Sequence, residues 1–452
     1  MRLTTVDQMR LPAGAVYSLE MRATPDPARE LPLSFDQRLH VGAGDRPGSW
    51  MGVSFRIDDS PFGSPAKTAA AITDAWQAAI ARHGTLRTVF SDTLEAGERR
   101  VRLHEATLAK GGWVRHPRGG RTTQDVLRRL LDAFCRPFAT PSHRLCLVIP
   151  DHTENDPRPV LVIASDHAHV DMWSLLVLAD DIRTALAADE RLARPDSAPF
   201  ALHTRTLEAM PPAPADVVAR WRRILEEGGG RMPVFPLPLG DPDPAEPAVV
   251  EVRDVLDAAS FGRLEAAARD RRVRVIALVV SELAAVSRER WDAPLRAVFP
   301  VHSRSEPRWR DSVGWYITNA VLEVADPDPE ACAAAVDEAV RLGAYPLAPI
   351  FDALGGIPAT PGMFAISWLD MRRMPLRLDP GLEPQFVSAV LPTDGVMIWF
   401  IADESGLHLR CRYPAGEVAA RHAGEWLEAV TARIRDAAGL GPRPTPPSAS
   451  TV

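Results

Sequence analysis

His167 and Asp171 are the two residues of this sequence best suited to acid–base chemistry, and they lie four positions apart in the segment DHAHVDMWS. The segment follows a hydrophobic strand pattern, so the histidine is expected at a strand end, where a side chain can face a cleft. An imidazole has an ordinary pKa of about 6.5, and a positioned acid–base group typically accelerates a reaction by about 10²–10⁴-fold. On spacing alone, however, a purely structural His–Asp pair is the more common arrangement.

The same segment also spells H-x-H-x-D with His167, His169 and Asp171. This pattern occurs in metal sites because alternate residues of a strand project to one side. Hydrolases of the metallo-β-lactamase type continue it with a further histidine directly after the aspartate, where this sequence has Met172. The other histidines form no second recognisable ligand cluster. No metal is therefore expected, and a metal-dependent hydrolase is retained as an alternative.

Hydrophobic periodicity predicts alternating helices and strands in both halves of the chain, so the fold class is α/β of the mixed α+β kind. Around the His–Asp segment it predicts a helix over 66–83, a strand over 160–165 and a helix that begins at Ser174. Later helices are predicted over 215–227, 261–270, 275–291, 329–342 and 416–436. Later strands are predicted over 295–301, 313–324, 363–369, 385–391, 396–402 and 407–413.

The composition bounds the architecture and the partners. A chain of 452 residues with 46% hydrophobic residues can build two cores, so two lobes are expected. The formal net charge of −7 does not favour binding to the negatively charged phosphates of nucleic acid or of a membrane surface, so neither is an expected partner. The four cysteines form no C-x-x-C pair, and no apolar run is long enough for a signal peptide or a membrane span. These features indicate a cytoplasmic protein.

Several motifs, in order along the chain, give this sequence a resemblance to the condensation domains of nonribosomal peptide synthetases. The most specific is RHGTLRTVF over 82–90, which matches the family's R-H-x-x-L-R-T-x-F at every specified position. DHAHVDMWS keeps four positions of the HHxxxDG motif and its frequent W-S continuation. PLSFDQRL and RPFATPSHRL are partial matches. VGWYITN and ISWLDMRRMP are similar to free-standing members and to polyketide-associated acyltransferases.

The resemblance implies two chloramphenicol-acetyltransferase-like lobes arranged in a V, with the active site in a central tunnel between them. The N-terminal lobe is expected over 1–192, the interlobe connection over 193–213 and the C-terminal lobe over 214–438. A disordered tail is expected over 439–452. No adenylation or carrier segment is recognisable, so a free-standing unit is expected.

The resemblance also implies roles for individual residues. His167 takes the place of the second motif histidine and is expected to contact the attacking hydroxyl or amine, as general base or positioner. Asp171 is expected to accept an arginine, either Arg87 or Arg304, and so to hold the turn that bears the histidine. Trp173 and Trp315 are expected as core or tunnel-wall aromatics, and Ser174 is expected as the N-cap of the following helix rather than as a nucleophile. The remaining motif and tunnel positions are Asp166, Met172, Gly314 and Asn319.

The sequence departs from the family pattern at three points. Asp166 replaces the first motif histidine, and a carboxylate so close can raise the pKa of the neighbouring imidazole. Met172 replaces the motif glycine, which usually marks unusual backbone angles or close approach of another group. The family's N-T dipeptide near Gly314 is displaced to Thr318 and Asn319. A catalytically silent, condensation-like binding or scaffold protein is therefore a second alternative.

The expected reaction is transfer of an acyl group from a thioester to an alcohol or amine, which forms an ester or amide in specialised-metabolite biosynthesis. No tightly bound cofactor is expected, because the acyl group arrives activated on a phosphopantetheine arm. An acyl or peptidyl carrier protein is an expected partner, with coenzyme A as the other carrier of that arm. A small-molecule acceptor is the second expected partner.

Overall fold

Two β-sheets flanked by helices form the architecture of this protein. The structure, a computed structural model, describes residues 2–57, 65–95, 98–187, 195–241, 243 and 246–441. The mixed α and β fold class predicted from the sequence is confirmed. No helix among these residues is long and apolar enough to cross a membrane.

Strands and helices alternate through both halves of the described chain. The strands are β1 (Arg2–Thr5), β2 (Gly14–Leu31), β3 (Trp50–Arg56), β4 (Thr88–Glu95), β5 (Glu98–His116), β6 (His143–Pro150), β7 (Val160–Asp166), β8 (Val249–Asp257), β9 (Leu295–His302), β10 (Ile317–Val324), β11 (Phe364–Asp370), β12 (Gln385–Ser388), β13 (Val396–Asp403) and β14 (Gly406–Tyr413). The helices are α1 (Phe35–Gly42), α2 (Pro65–Arg82), α3 (Thr123–Phe134), α4 (Met172–Ala187), α5 (Phe200–Glu208), α6 (Ala215–Glu227), α7 (Ala258–Asp270), α8 (Val275–Trp291), α9 (Pro329–Leu342), α10 (Leu347–Ala353) and α11 (Glu417–Ala437).

The first sheet contains the strand that leads to His167. Its order is β1-β12-β3-β7-β6-β2-β5-β4, and β7 pairs antiparallel with β3 on one side and β6 on the other. Leu161 and Ile163 of β7 pack with α2 and α4, whereas Val160 and Val162 pack with α3 on the opposite face. Because helices cover both of its faces, β7 begins with an uninterrupted run of hydrophobic residues. This run is why the strand could be predicted from the sequence.

The second sheet has the order β10-β9-β11-β13-β14-β8. One face is covered by α7, α8, α9 and α11, which share a large core with alternate residues of the strands. On the other face, Leu369 and Trp399 pack against the core of the first sheet. The two sheets are further joined by β12, which follows β11 in sequence but pairs with β1 and β3 of the first sheet.

Several element boundaries agree with the sequence prediction and others do not. Helices α6, α8 and α9 have the predicted bounds. The predicted strand over 313–324 begins only at Ile317, because residues 312–316 turn back to contact the His167 segment. The long strands β2 and β5 were missed, since β2 is exposed over much of its length and lacks a clear hydrophobic alternation.

The proposed division into lobes stays a prediction. Its boundary at 192–193 lies outside the described residues, and so does the expected disordered tail over 439–452 from residue 442 onward. Residues 439–441 are described, and Leu440 packs against the core of the second sheet. The predicted connection over 193–213 contains the helix α5.

Candidate active site

His167 lies in a short 3₁₀ turn, His167–His169, between the end of β7 and the start of α4. The turn is fixed at its start because the Asp166 carboxylate accepts the backbone N–H of Ala168 at 2.9 Å. The backbone N–H of His167 itself donates to the carbonyl of Ser49 at 2.9 Å. The histidine is therefore held by the backbone on a rigid strand end, which is the placement that the sequence predicted.

Asp171 directly precedes α4 and caps its first turn. Its Oδ1 accepts the backbone N–H of Ser174 at 2.6 Å, which satisfies a donor that would otherwise be unpaired in the first turn. The prediction that Ser174 is the N-cap is wrong, because the helix begins at Met172 and Ser174 lies inside its first turn. The serine hydroxyl instead donates to the carbonyl of Gly314 at 2.8 Å.

The His167 side chain is half-buried and stacks on an indole from the second half of the chain. The ring centroids of His167 and Trp315 are 4.1 Å apart, with an interplanar angle of 24°. Nδ1 of His167 is buried and has no hydrogen-bond partner among the described residues. Burial lowers the pKa of His167 below its ordinary value. The imidazole is therefore neutral near pH 7, and the upward shift expected from Asp166 is outweighed by burial.

An arginine from the second half of the chain pairs with Asp171. Arg304 Nη2 lies 3.0 and 3.3 Å from the two carboxylate oxygens, and its side chain is fully buried. The backbone N–H of Tyr316 donates to the same carboxylate at 3.1 Å. Arg304 also donates to the carbonyls of Trp309 and Ser312, at 2.6 and 2.7 Å. This buried ion pair ties the turn that bears His167 to the loop before β10.

The other candidate arginine, Arg87, does not reach Asp171. Its guanidinium donates to the carbonyls of Ile80 and Ala81, which are unsatisfied acceptors in the last turns of α2. The prediction that Arg87 forms the ion pair is therefore corrected in favour of Arg304. Both arginines were suitable partners for Asp171 on sequence grounds. The packing of α2 decides which carbonyls or carboxylates the guanidinium of Arg87 can reach.

The RHGTLRTVF motif has a structural role. Arg82 forms two hydrogen bonds with Asp181 of α4, at 2.6 and 2.7 Å, and a further ion pair with Asp311. His83 Nε2 contacts the same Asp181 carboxylate at 2.6 Å, and its Nδ1 contacts the hydroxyl of Ser197 at 2.7 Å. The motif thus fixes α2 against α4 and against segments that follow α4 in sequence.

Asp166, which replaces the first motif histidine, lies in a separate buried network. His40 Nε2 is 3.2 Å from its Oδ1, and the hydroxyl of Ser49 donates to its Oδ2. Because Arg46 donates to His40 Nδ1 at 3.2 Å, the imidazole proton is on Nε2 and points at the carboxylate. Burial alone would raise the pKa of Asp166, but the hydrogen bonds from His40, Ser49 and Ala168 lower it below its ordinary value.

Helix α1 carries His40 and links the two halves of the molecule. Gln37 donates to the carbonyl of Ala168 in the His167 turn at 2.9 Å. Asp36, one turn before His40, forms a hydrogen bond with Thr318 of β10, and burial raises the pKa of Asp36 to about 7. In the sequence, PLSFDQRL was only a partial match to the family, so His40 directly after it was not predicted as a functional residue. The sequence did hold a signal for His40. The buried carboxylate of Asp166, in place of the first motif histidine, needs a hydrogen-bond donor from elsewhere in the chain.

The remaining predicted residues surround this centre. Gly314 is needed for close approach, since a Cβ there would lie 2.5 Å from the ring of Phe200. Trp173 donates from Nε1 to the carbonyl of Arg310 at 2.7 Å. Met172 is half-buried and packs against the core of the first sheet. The side chain of Asn319 is exposed on β10.

The H-x-H-x-D residues do not converge on one point. His169 Nδ1 contacts the hydroxyl of Ser142 at 3.0 Å, and its ring packs on Phe90 with centroids 4.9 Å apart. Asp171 is paired with Arg304. Within the described ranges, no group of three or more histidine, cysteine, aspartate or glutamate residues could hold a metal ion. The geometry therefore does not favour the metal-hydrolase alternative.

Comparison with known proteins identifies the fold. No protein-family model and no curated sequence matches the chain. The solved structure of PapA2 acyl transferase is similar over 97% of this chain and 100% of its own, with a TM-score of 0.78 and 18% identity. The first condensation domain of the calcium-dependent antibiotic synthetase is similar over 91% of this chain and 98% of its own, with a TM-score of 0.66 and 16% identity.

A third solved structure, the SgcC5 protein from Streptomyces globisporus, is similar over 91% of this chain and 100% of its own, with a TM-score of 0.62 and 16% identity. These likenesses show that the chain has the fold of condensation domains and of the PapA2 acyl transferase. The fold that the sequence motifs predicted is thus confirmed.

Proposed function

We propose that this protein is a condensation-type acyltransferase with His167 as its catalytic residue. The acyl group would pass from a phosphopantetheine thioester, on a carrier protein or coenzyme A, to an alcohol or amine. The observation that carries the proposal is the neutral His167, held at a strand end between Asp166 and Asp171 and stacked on Trp315. A fold alone does not define an activity, so the proposal rests on this site.

His167 suits the chemistry because a neutral imidazole can accept a proton. In the proposed step, the acceptor oxygen or nitrogen attacks the thioester carbonyl carbon while His167 takes the proton from the acceptor or positions it. The carbon–sulfur bond then breaks, and the sulfur takes up the proton lost by the acceptor and leaves as a thiol. An amine needs less help from the base than an alcohol, so the same residue can serve either acceptor.

The two neighbouring aspartates are positioning residues in this proposal. Asp166 holds the backbone of the turn through Ala168, and Asp171 holds it through Arg304 and the start of α4. Among the described residues, neither carboxylate forms a hydrogen bond with the imidazole of His167. Because a misplacement of about 1 Å in a reacting group can cost about 10²-fold in rate, these contacts are expected to affect turnover.

The test is an acyl-transfer assay on the full chain. The protein is incubated with acyl-coenzyme A and, separately, with acylated carrier proteins in the presence of a panel of small alcohols and amines. Ester and amide products are followed by mass spectrometry. We expect transfer by the wild type, and a loss of about 10²-fold or more in His167→Ala.

The matched control is His152→Ala, which removes an exposed histidine outside the site. It should keep wild-type activity and the same unfolding temperature. Transfer that persists in His167→Ala would make His167 a structural residue. Failure of the wild type to consume either donor across the panel would favour the catalytically silent alternative.

A further inference from the structure

Arg87 belongs to the most specific sequence motif, yet it has no role in the candidate active site. It follows α2 in a short 3₁₀ turn, Gly84–Arg87, and is half-buried. Its Nη1 donates to two carbonyls in the last turn of α2. Among the described residues, its Nε and Nη2 have no hydrogen-bond partner and its guanidinium forms no ion pair. Part of its hydrogen-bonding capacity, and its charge, are therefore available to a ligand.

A surface pocket with a volume of about 360 Å³ opens beside Arg87, which is one of its lining residues. This volume lies within the range of about 300–1,000 Å³ that is usual for small-molecule sites. The floor of the pocket is apolar, because it is formed by three lining residues that are each less than 10% exposed: Met21, Ile80 and Ala106. Neither His167 nor Trp315 lines the pocket, so it is separate from the candidate active site.

The pocket lies where β2 and β5 lose their regular pairing. The pairing reaches Pro25 and Ala106 and resumes at Glu30 and His104. Four residues of β2 therefore lie opposite a single residue of β5, which is a bulge that bends β2 at this point. Asp26 is the first residue of the bulge, and its Oδ1 accepts the backbone N–H two residues later at 3.0 Å. This contact fixes the carboxylate at the edge of the pocket.

Charges of both signs line the pocket. Arg29 Nε lies 2.9 Å from Glu105 Oε2, so these two charges neutralise each other. Asp26 and Arg87 also line the pocket, and within the described ranges neither of them forms an ion pair. They belong to different walls, since Asp26 is part of the sheet whereas the guanidinium of Arg87 is held at the end of α2. The pocket thus offers one unpaired carboxylate and one unpaired guanidinium above an apolar floor.

We propose that this pocket binds a small zwitterion that carries an ammonium and a carboxylate group on an aliphatic body. The ligand's carboxylate accepts hydrogen bonds from the free N–H groups of Arg87, and its ammonium donates to Asp26. The aliphatic body covers the apolar floor and is removed from water there. A ligand with a single charge would match only one of the two side chains. This binding site does not depend on the proposed acyl-transfer function.

The test uses leucine and its isomer ε-aminocaproate, which differ in the distance between their two charges. Isocaproate and isoamylamine each lack one charge of leucine, and caproate and pentylamine each lack one charge of ε-aminocaproate. Every compound is titrated into the full chain by calorimetry at constant ionic strength. We expect saturable binding of at least one isomer, with a dissociation constant at least about tenfold lower than those of its two analogues.

Two variants test the two charges separately. Arg87→Gln should abolish the preference for the zwitterion over the amine, and Asp26→Asn should abolish its preference over the carboxylate. Asparagine keeps an oxygen that can accept the backbone N–H, so the bulge should be retained. The matched controls are Arg22→Gln and Asp74→Asn, because both residues are exposed and lie outside the pocket. Both controls should bind the zwitterion as the wild type does.

Thermal unfolding provides a second readout that a merely structural role would not change. The isomer that binds should raise the unfolding temperature of the wild type and of the two controls. At the same concentration it should give little or no increase in Arg87→Gln and Asp26→Asn, whatever their own unfolding temperatures are.

Three results would each overturn the proposal. They are the absence of saturable binding of both isomers, equal binding of an analogue with a single charge, and unchanged binding of the zwitterion by Arg87→Gln or Asp26→Asn. His167→Ala should bind the zwitterion as the wild type does, because His167 does not line the pocket. A failure of acyl transfer and a failure of this site are therefore distinguishable.

Discussion

Two aspartates bracket His167, and they are held in different ways. Asp166 lies before the histidine and accepts hydrogen bonds from His40 and Ser49, which both belong to the N-terminal half. Asp171 lies after it and is paired with Arg304, which is 133 residues away in the C-terminal half. The first contact is a hydrogen-bond network that includes the imidazole of His40, whereas the second is a buried ion pair.

The difference shows that the turn is anchored once to each sheet. The first anchor depends on short contacts around β3, β7 and α1, and the second depends on the loop that precedes β10. Any motion of one sheet relative to the other would therefore act on the position of His167. His40 of α1 also brings an imidazole next to Asp166, the residue that replaces the first motif histidine.

The largest effect is expected from breaking the second anchor with Arg304→Gln. Removing one partner of a buried ion pair typically costs about 3–5 kcal/mol, because the remaining Asp171 charge is left buried. Urea denaturation should show this loss in the free energy of unfolding. Arg308→Gln, which removes an arginine in an exposed ion pair with Glu306, should cost about 1 kcal/mol or less. Similar losses in both variants would refute a special role for Arg304.

Breaking the first anchor with Asp166→Asn should cost less, about 1–3 kcal/mol. Asparagine keeps one acceptor oxygen but cannot accept from all three donors that surround the carboxylate. The pKa of Asp166 is lowered in the folded protein, so its contribution is present above the ordinary carboxyl pKa and is lost as pH falls through the folded value. The free energy of unfolding of Asp166→Asn should therefore fall less than that of the wild type as the pH is lowered. An unchanged profile between wild type and Asp166→Asn would contradict the network.

The pH dependence of activity sharpens the comparison further. Burial lowers the pKa of His167, so the imidazole stays neutral to below the ordinary value of about 6.5. Initial rates of acyl transfer should then stay level from pH 8 down to about that value and decline only at lower pH. A decline in the wild type that is centred above pH 7 would be inconsistent with a buried neutral base.

The smallest effect is expected for Arg87→Gln, which removes contacts to two helix carbonyls. We expect a loss of about 1 kcal/mol, because these carbonyls can be reached by water in its absence. Combined with Asp171→Asn, the two losses should add, since the residues share no partner. Asp171→Asn with Arg304→Gln should instead be less harmful than the sum of the single effects. Coupling of Asp171 with Arg87 would reverse the assignment of the ion pair.

Much of the fold could be predicted from local patterns. The strand before His167 is buried on both faces, and helices α6, α8 and α9 carry a regular apolar stripe, so each was found with correct or nearly correct bounds. The paired strands β2 and β5 were not predicted, because much of β2 is exposed and polar and shows no clear hydrophobic alternation. The loop before β10 was read as strand, since its apolar residues are buried by contact with the His167 segment and not by a sheet.

The sequence by itself determined the residue at the centre, the Asp171 that follows it and the class of fold, because these depend on periodicity and on motifs within short segments. Only the tertiary structure decided that Arg304 and not Arg87 pairs with Asp171, and that His40 meets Asp166 from 126 residues away. The physical reason is that both arginines are chemically able to bind a carboxylate. Which of them does so depends on distances of about 3 Å, set by the packing of segments remote in sequence.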